Sequence, residues 1–411
     1  MFAITLSIFS LLIGIALLLL GTGLQGTLLG LRAVEEQFSV SVIGYVMSFY
    51  FAGFAIGTYL CPSLIRRVGH IRAFTAMAAV ASSIAMAYIL FVDPYVWSLF
   101  RIVTGICAVG LFMIVESWIN TLAPNNLRGQ FFSAYMVVTF LALACSQYLL
   151  LIGSVTDYIL FAIMAMLISS SLLPIALTKI EQPRIVETPK LHLVSVYRDS
   201  PLGVIGTFTS GFVLGAFLTM TPVYSSQIGV DKSSIAWLMS TTIFGGAMLQ
   251  WPIGKLSDHI DRRIVLGLAA FSAAILALII FFNGNHANFG FYAIYFLYGG
   301  LAFSIYSLSV AHINDRLHAD QALDASKNLL QLYGIGAVAG PLLAGICMQY
   351  FGARSLPLLY MFILLLCAGF TVWRYHSGEA VAEEEREDFV SLSRTSPVVM
   401  EMDPRVDNSV T

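Results

Sequence analysis

An arginine lies inside an apolar stretch of the chain, where a charged side chain is rare. Arg101 comes about six residues into the apolar segment 95–120, roughly 9 Å along a helix at about 1.5 Å per residue. An arginine inside a membrane costs about 2.5–3.5 kcal/mol, so we expect its side chain to face other helices and to have a partner. Its guanidinium would bind an anionic solute or assist proton transfer. The alternative is a structural arginine that extends to the outer headgroups or pairs with a carbonyl group.

The same segment carries a carboxylate, Glu116, 15 residues after Arg101. The two charges lie about 22 Å apart along a helix, too far for an ion pair, but their directions differ by only about 60° at 3.6 residues per turn. One face of this helix would present a cation near one end and a carboxylate near the other, as a proton relay requires. A buried carboxyl group of this kind is a candidate proton carrier. The alternative is an ion pair at the inner end with Arg66, Arg67 or Arg128.

Amide and phenol side chains inside the other apolar segments are further candidates for solute contact or proton coupling. An unsatisfied amide in an apolar environment is unfavourable, so each needs a partner, either a solute or a neighbouring helix. Both alternatives stay open for Gln25, Tyr50, Gln147, Tyr298, Tyr306, Asn328 and Gln331.

The composition predicts that helices in a membrane position these groups. The 411 residues are 58% apolar and 11% charged, too few charges to coat a soluble protein. A crossing takes roughly 20 residues, and runs of this length lack the strict alternation of barrel strands. We predict an all-α polytopic membrane protein with twelve transmembrane helices, near 4–30, 40–65, 72–91, 95–120, 129–152, 157–178, 202–225, 233–254, 264–282, 288–313, 322–350 and 355–374.

The loops predict the topology and the domains. Most lysines and arginines fall in alternate loops, which places both termini in the cytoplasm. The polar stretch 179–200 predicts a cytoplasmic linker between two six-helix bundles, 1–178 and 201–375. The acidic tail 376–411 is expected to be disordered.

A charged turn occurs twice in the chain, as Ser63–Arg72 and as Gly254–Arg263. A second pair, 105–120 and 299–314, aligns at nearly the same offset, so the halves look like copies of one unit. Two such bundles with a shared site near the midplane form an alternating-access architecture. We expect Asp258 to cap a neighbouring helix and the arginines to engage carboxylates, which would close a cytoplasmic gate. The gate candidates are Arg66, Arg67, Gly69, Arg128, Gly254, Asp258, Arg262 and Arg263.

These motifs resemble those of the major facilitator superfamily, and more narrowly of its bacterial YcaD-type branch, over about residues 1–375. The superfamily's loop motif is intact as Gly254, Asp258, Arg262 and Arg263. In the first half, Arg66 stands in the aspartate position, so the resemblance implies an uneven gate. Arg101, followed by Gly105 and Gly110, is similar to the superfamily's arginine-and-glycine motif. The resemblance implies two pseudo-symmetric six-helix bundles and solute transport, without naming the solute.

A string of small residues in the eleventh predicted helix has two interpretations. Gly336, Gly340, Pro341 and Gly345 would either form a hinge or allow close packing of helices.

The expected function is secondary active transport of a small solute across the bacterial inner membrane, coupled to protons, by a monomer in contact with membrane lipid. No nucleotide-binding loop of the Gly-x-x-x-x-Gly-Lys-Ser/Thr type occurs, and the histidines do not cluster with acids at one depth. We therefore expect no catalytic site, metal, cofactor or nucleic-acid partner. The alternatives are an exporter of amphipathic drugs or lipids and a sensor that keeps the fold without transporting.

Overall fold

Helices make up nearly all of the residues that the structure describes. The structure is a computed structural model that describes residues 2–123, 127–177, 183, 196–198, 200–284, 288–316, 319–377, 389–390 and 394–398, without the side chains of 2–7, 128, 319–324, 326 and 327. These ranges contain no strand. Their α-helices include α1 (Phe2–Glu35), α2 (Val40–Val68), α3 (His70–Leu90), α4 (Pro94–Leu122), α5 (Arg128–Ser146), α6 (Ile159–Ser170), the short α7 (Leu172–Leu177), α8 (Pro201–Gln227), α9 (Lys232–His259), α10 (Arg262–Asn283), α11 (Phe289–Asn314), α12 (Ala319–Phe351) and α13 (Ser355–Ser377).

Two of the predicted helices change their geometry before they end. The fifth continues beyond Ser146 as a tighter 3₁₀ turn, Gln147–Ile152. The sixth divides at Ser171 into α6 and α7, where the Ser171 hydroxyl donates to the carbonyl of Ile168 at 2.7 Å and so competes with the helical bonds. Sequence patterns place helices well but do not show such local changes.

Short polar side chains start many of these helices. Asp93, Ser200, Asp231, Asp261 and Asn288 cap α4, α8, α9, α10 and α11 through side-chain oxygens that accept backbone N–H groups. Such caps satisfy N–H groups that the helix itself leaves open.

Eleven helices in the described part of the chain are long and apolar enough to cross a membrane. The helix α9, with 28 residues, is long enough to be the twelfth crossing but is more polar than the eleven. The all-α polytopic fold class is therefore confirmed.

The chain divides into two compact units. The first contains Met1–Leu28, Phe49–Pro189 and Leu392–Thr411, and the second contains Leu29–Ser48 and Lys190–Ser391. The predicted linker contains the division at 189–190, whereas the tip of the α1–α2 hairpin is assigned to the second unit. In the first unit α3 packs on α4 and α6, and in the second α8 packs on α12, α9 on α11, and α10 on α13.

Glycine permits the closest helix contact near Arg101. A Cβ atom on Gly105 would overlap the carbonyl oxygen of Tyr50, and one on Gly53 would overlap that of Ile102. Since α2 and α4 approach this closely, the backbone holds Tyr50 beside the turn of α4 that carries Arg101.

We predict that Gly105→Ala destabilises the protein by about 1–3 kcal/mol, because the added methyl group must push α2 away from α4. Gly369→Ala is the matched control, since nothing lies within 4 Å of a Cβ atom there. Alanine also favours a helix over glycine by about 1 kcal/mol, so the control is expected to keep or raise the melting temperature of detergent-purified protein. Equal melting temperatures for the two variants would contradict the packing argument.

Candidate functional site

Arg101 is buried against an aromatic ring in the first unit. Its side chain is only 2% exposed, and its guanidinium carbon lies 4.5 Å from the centre of the Tyr50 ring. In the part of the chain that the structure describes, the Nε atom of Arg101 has no hydrogen-bond partner. This position agrees with an interior arginine rather than one that extends to the headgroups. Its role in transport stays a prediction.

Glu116 lies on the same helix and is fully buried, with an exposure of 0%. The hydroxyl group of Tyr135 on α5 donates to its Oε1 atom at 2.5 Å. Thr395 donates to the same oxygen, and Ser396 donates to Oε2. None of the three donors is marked in the sequence, since Ser, Thr and Tyr carry no pattern that identifies a hydrogen-bond partner.

Two of the three arginines considered as alternative partners of Glu116 lie at the surface. Arg66 and Arg67 are exposed, and Arg66 donates to the hydroxyl of Ser63 at 3.0 Å. The side chain of Arg128 lies outside the described residues. Gly69 has a positive φ of 84°, which lets α2 end and α3 begin one residue later.

In the second unit, Arg262 forms the most deeply buried described ion pair of the charged turn. Its Nε atom lies 2.5 Å from Oδ2 of Asp315, and the two side chains are 1% and 2% exposed. Asp258, four residues before Arg262, is 3.5 Å from Nη1 and is 19% exposed. No motif in the sequence marks Asp315, although it is the first residue after the repeat 299–314. Arg262 does engage carboxylates, as the gate hypothesis requires.

Asp258 does not cap α10, the helix that follows it, and its expected role as the cap of a neighbouring helix stays a prediction. Helix α9 continues to His259, so Asp258 lies in its last turn, and α10 begins at Arg262. The cap is Asp261, which accepts the backbone N–H of Arg263 at 2.9 Å and forms an ion pair with its guanidinium at 2.7 Å.

Gly254, at the start of the same charged turn, packs closely against an aromatic side chain. A Cβ atom there would overlap the buried ring of Phe389.

Among the polar candidates of the first unit, Gln25 and Gln147 are buried and Tyr50 is half-buried, and the three are not in one described cluster. Tyr50 lies on Arg101, as described above. Gln147 accepts a hydrogen bond from Thr27 at 2.7 Å and donates to the carbonyl of Gly23 at 3.1 Å, so it joins helices. Gln25 is 2% exposed, and its Nε2 atom has no partner among the described residues.

The second unit contains the other polar candidates. Tyr298 stacks on Tyr360, with ring centres 6.0 Å apart. Tyr306 packs edge-on against Tyr333 at 5.4 Å. Asn328 and Gln331 are also buried. Two aromatic pairs therefore line the interior of this unit.

The small residues of α12 lie against other helices of the second unit. Cβ atoms on Gly336 and Gly340 would overlap the carbonyl oxygens of Phe208 and Phe212 on α8, and one on Gly345 would approach the Cα atom of Gly44. Pro341 lies within the same continuous helix. These contacts match the packing interpretation, whereas the hinge stays a prediction.

The sequence and the fold are similar to those of known proteins. The family model of the Major Facilitator Superfamily matches residues 11–326. An MFS-type transporter of Yersinia enterocolitica, YE1530, is 27% identical over 86% of this chain and 94% of its own length. YcaD of Escherichia coli strain SE11 is also 27% identical, over 88% and 96%.

Solved structures share the fold at low sequence identity. The nucleoside transporter NupG has a TM-score of 0.74 at 14% identity, and the match covers 90% of this chain and 99% of its own. A bacterial homologue of the human lysosomal transporter Spinster has a TM-score of 0.73 at 15% identity, over 94% and 98%. A D-xylose–proton symporter has a TM-score of 0.66 at 15% identity, over 89% and 96%.

The ion pair of Arg262 leads to a stability prediction. Asp315→Asn is expected to lower the free energy of unfolding by about 3–5 kcal/mol, because it leaves the buried Arg262 without its closest counter-charge. Asp258→Asn is the matched control, and its effect should be much smaller because Asp258 is farther from Arg262 and partly exposed. Thermal unfolding of the purified variants measures both effects. A larger loss for Asp258→Asn would show that the outer carboxylate carries the interaction.

Proposed function

Because the chain belongs to the major facilitator superfamily, we propose that it is a secondary active transporter that moves a small solute by alternating access. We place it in the bacterial inner membrane, with both termini in the cytoplasm and with protons as the coupling ion. It works as a monomer surrounded by membrane lipid. The loop charges and the membrane-embedded Arg101 and Glu116 support this proposal.

The buried Arg101 on the Tyr50 ring is the observation that carries the proposal. An arginine held away from water by an aromatic face binds a partner strongly, because the surrounding dielectric constant is low. Its Nε–H group, which lacks a described protein acceptor, is available to a solute acceptor such as a carboxylate, phosphate or carbonyl oxygen. Arg101 is therefore the proposed solute-binding residue of the first unit.

Another buried donor of the first unit is a second candidate for solute contact. The Nε2 atom of Gln25 has no described hydrogen-bond partner. A solute that offers several oxygen atoms would satisfy such groups, which are otherwise unfavourable in a buried position. The nucleoside transporter and the D-xylose symporter act on compounds of this kind, so nucleosides and D-xylose are reasonable first probes.

Glu116 is the proposed proton carrier. It is the buried carboxylate on the helix that also carries Arg101, and hydroxyl groups surround both of its oxygens. Hydroxyl groups can donate to a carboxylate and can accept from a carboxylic acid, so they suit both protonation states. A proton gained or lost there would change the charge of the first unit.

A second candidate is an exporter of amphipathic compounds. The stacked pair of Tyr298 and Tyr360, with Phe217 at 6.3 Å from Tyr298, offers an aromatic surface in the second unit. A cavity dominated by these rings would favour amphipathic cations, whereas one centred on Arg101 would favour anions and polar solutes. Competition by the two classes of compound in one uptake assay separates the candidates.

We predict that Tyr50→Leu lowers the transport rate about 30-fold, since a desolvated cation–π contact is worth about 2 kcal/mol or more. Tyr50→Phe is the matched control, because it keeps the aromatic face, and it should retain most of the rate. The measurement is initial uptake into proteoliposomes, screened first with nucleosides and D-xylose. Equal rates for the two variants would exclude the aromatic contact as the functional feature.

We predict that Glu116→Gln abolishes accumulation driven by an imposed pH gradient but leaves solute exchange without a gradient. The amide keeps the size of the side chain but cannot carry the proton. Glu36→Gln serves as the control, since Glu36 follows the end of α1 and pairs with Arg32 in the last turn of that helix. Solute accumulation that persists in Glu116→Gln would refute proton coupling at this residue.

A further inference from the structure

A short stretch of the C-terminal tail is ordered and buried in the first unit. This tail segment, Arg394–Val398, follows a strongly acidic region whose composition suggests a solvated chain. Ser396 and Val398 are 0% and 1% exposed, and Pro397 is also buried. The segment therefore differs from the expected disordered tail, and it has a specific position.

The tail segment meets the carboxylate of Glu116 with two neighbouring hydroxyl groups. Thr395 donates to Oε1 and Ser396 donates to Oε2, so the segment contacts both oxygens at once. The hydroxyl groups of Thr395 and Tyr135 are 3.0 Å apart, which joins the segment to α5. Each hydroxyl thus contacts a group that is buried in the first unit.

The backbone of the segment orients the serine for this contact. The N–H group of Val398 donates to Oγ of Ser396 at 3.1 Å. Since that bond uses an oxygen lone pair, the hydroxyl hydrogen of Ser396 is left to point at Glu116. The local turn and the long-range contact therefore support each other.

These contacts replace solvent around a buried acid. A carboxylate removed from water is strongly unfavourable unless hydrogen-bond donors surround it. Hydrogen bonds to a charged oxygen are shorter and roughly twice as strong as neutral ones. Residues some 280 positions along the chain supply two of the described donors, so binding of the tail and burial of Glu116 depend on each other.

We propose that the tail segment is an internal ligand of the first unit, and that its Thr395 and Ser396 hydroxyl groups occupy the Glu116 carboxylate and shield it from solvent. A tail bound in this way must leave before water or a solute reaches Glu116. Inhibition of transport by the bound tail depends on the proposed function, whereas the contact between the tail segment and Glu116 does not.

The first test measures how well the tail segment is protected from trypsin. In full-length purified protein, cleavage after the half-buried Arg394 is compared with cleavage after Arg405 in the same tail. Glu116→Gln leaves the sequence around both cleavage sites unchanged but replaces the charged acceptor of the tail. We therefore expect it to raise the ratio of cleavage after Arg394 to cleavage after Arg405 about tenfold, because hydrogen bonds to a charge are lost. Ser396→Ala should also raise it, whereas Ser409→Ala is the control and should match the wild type.

The second test measures access to the carboxylate itself. A water-soluble carbodiimide with glycine ethyl ester is expected to modify Glu116 about tenfold faster in Ser396→Ala than in the wild type or in Ser409→Ala, as mass spectrometry of the peptide would show. An unchanged cleavage ratio in Glu116→Gln, or unchanged labelling in Ser396→Ala, would overturn the proposal. Neither test uses transport, so a failure of the proposed function leaves both results meaningful.

Discussion

An apolar medium cannot solvate charge, and this constraint governs the interior of the protein. Each buried ion needs a partner that the fold itself supplies. Arg101 lies on the ring of Tyr50, Glu116 receives hydroxyl groups, and Arg262 pairs with Asp315. The three buried charges are thus contacted by three kinds of group: an aromatic ring, hydroxyl groups and a carboxylate.

The same constraint separates the two sets of charges. Around Arg262, the partner is another full charge, and the pair holds the start of α10 against the end of α11 within the second unit. The described contact of Arg101 is the neutral ring of Tyr50, and neutral hydroxyl groups donate to Glu116. A buried ion pair such as that of Arg262 suits a structural role.

Close packing of the helix backbones helps to bring the buried charges and their partners together. Glycines let α2 approach α4 in the first unit and α8 approach α12 in the second, so that backbone atoms meet where side chains would otherwise stand. Helices in lipid associate through such contacts, because no hydrophobic force drives them together. The ring of Tyr50 can cover Arg101 only because Gly105 allows the two backbones to meet.

The amino-acid sequence by itself determined the membrane class, the helices and the family resemblance, because hydrophobic length, helix caps and loop motifs are local features. It also marked Arg101, Glu116 and Arg262 as unusual. It did not single out Asp261 as the cap of α10, since the end of a helix shifts by a few residues without changing its pattern. Only the tertiary structure decided the partners: Asp315 for Arg262, and Thr395 and Ser396 for Glu116. The physical reason is that these pairs form between distant parts of the chain, and short polar side chains carry no periodic signal.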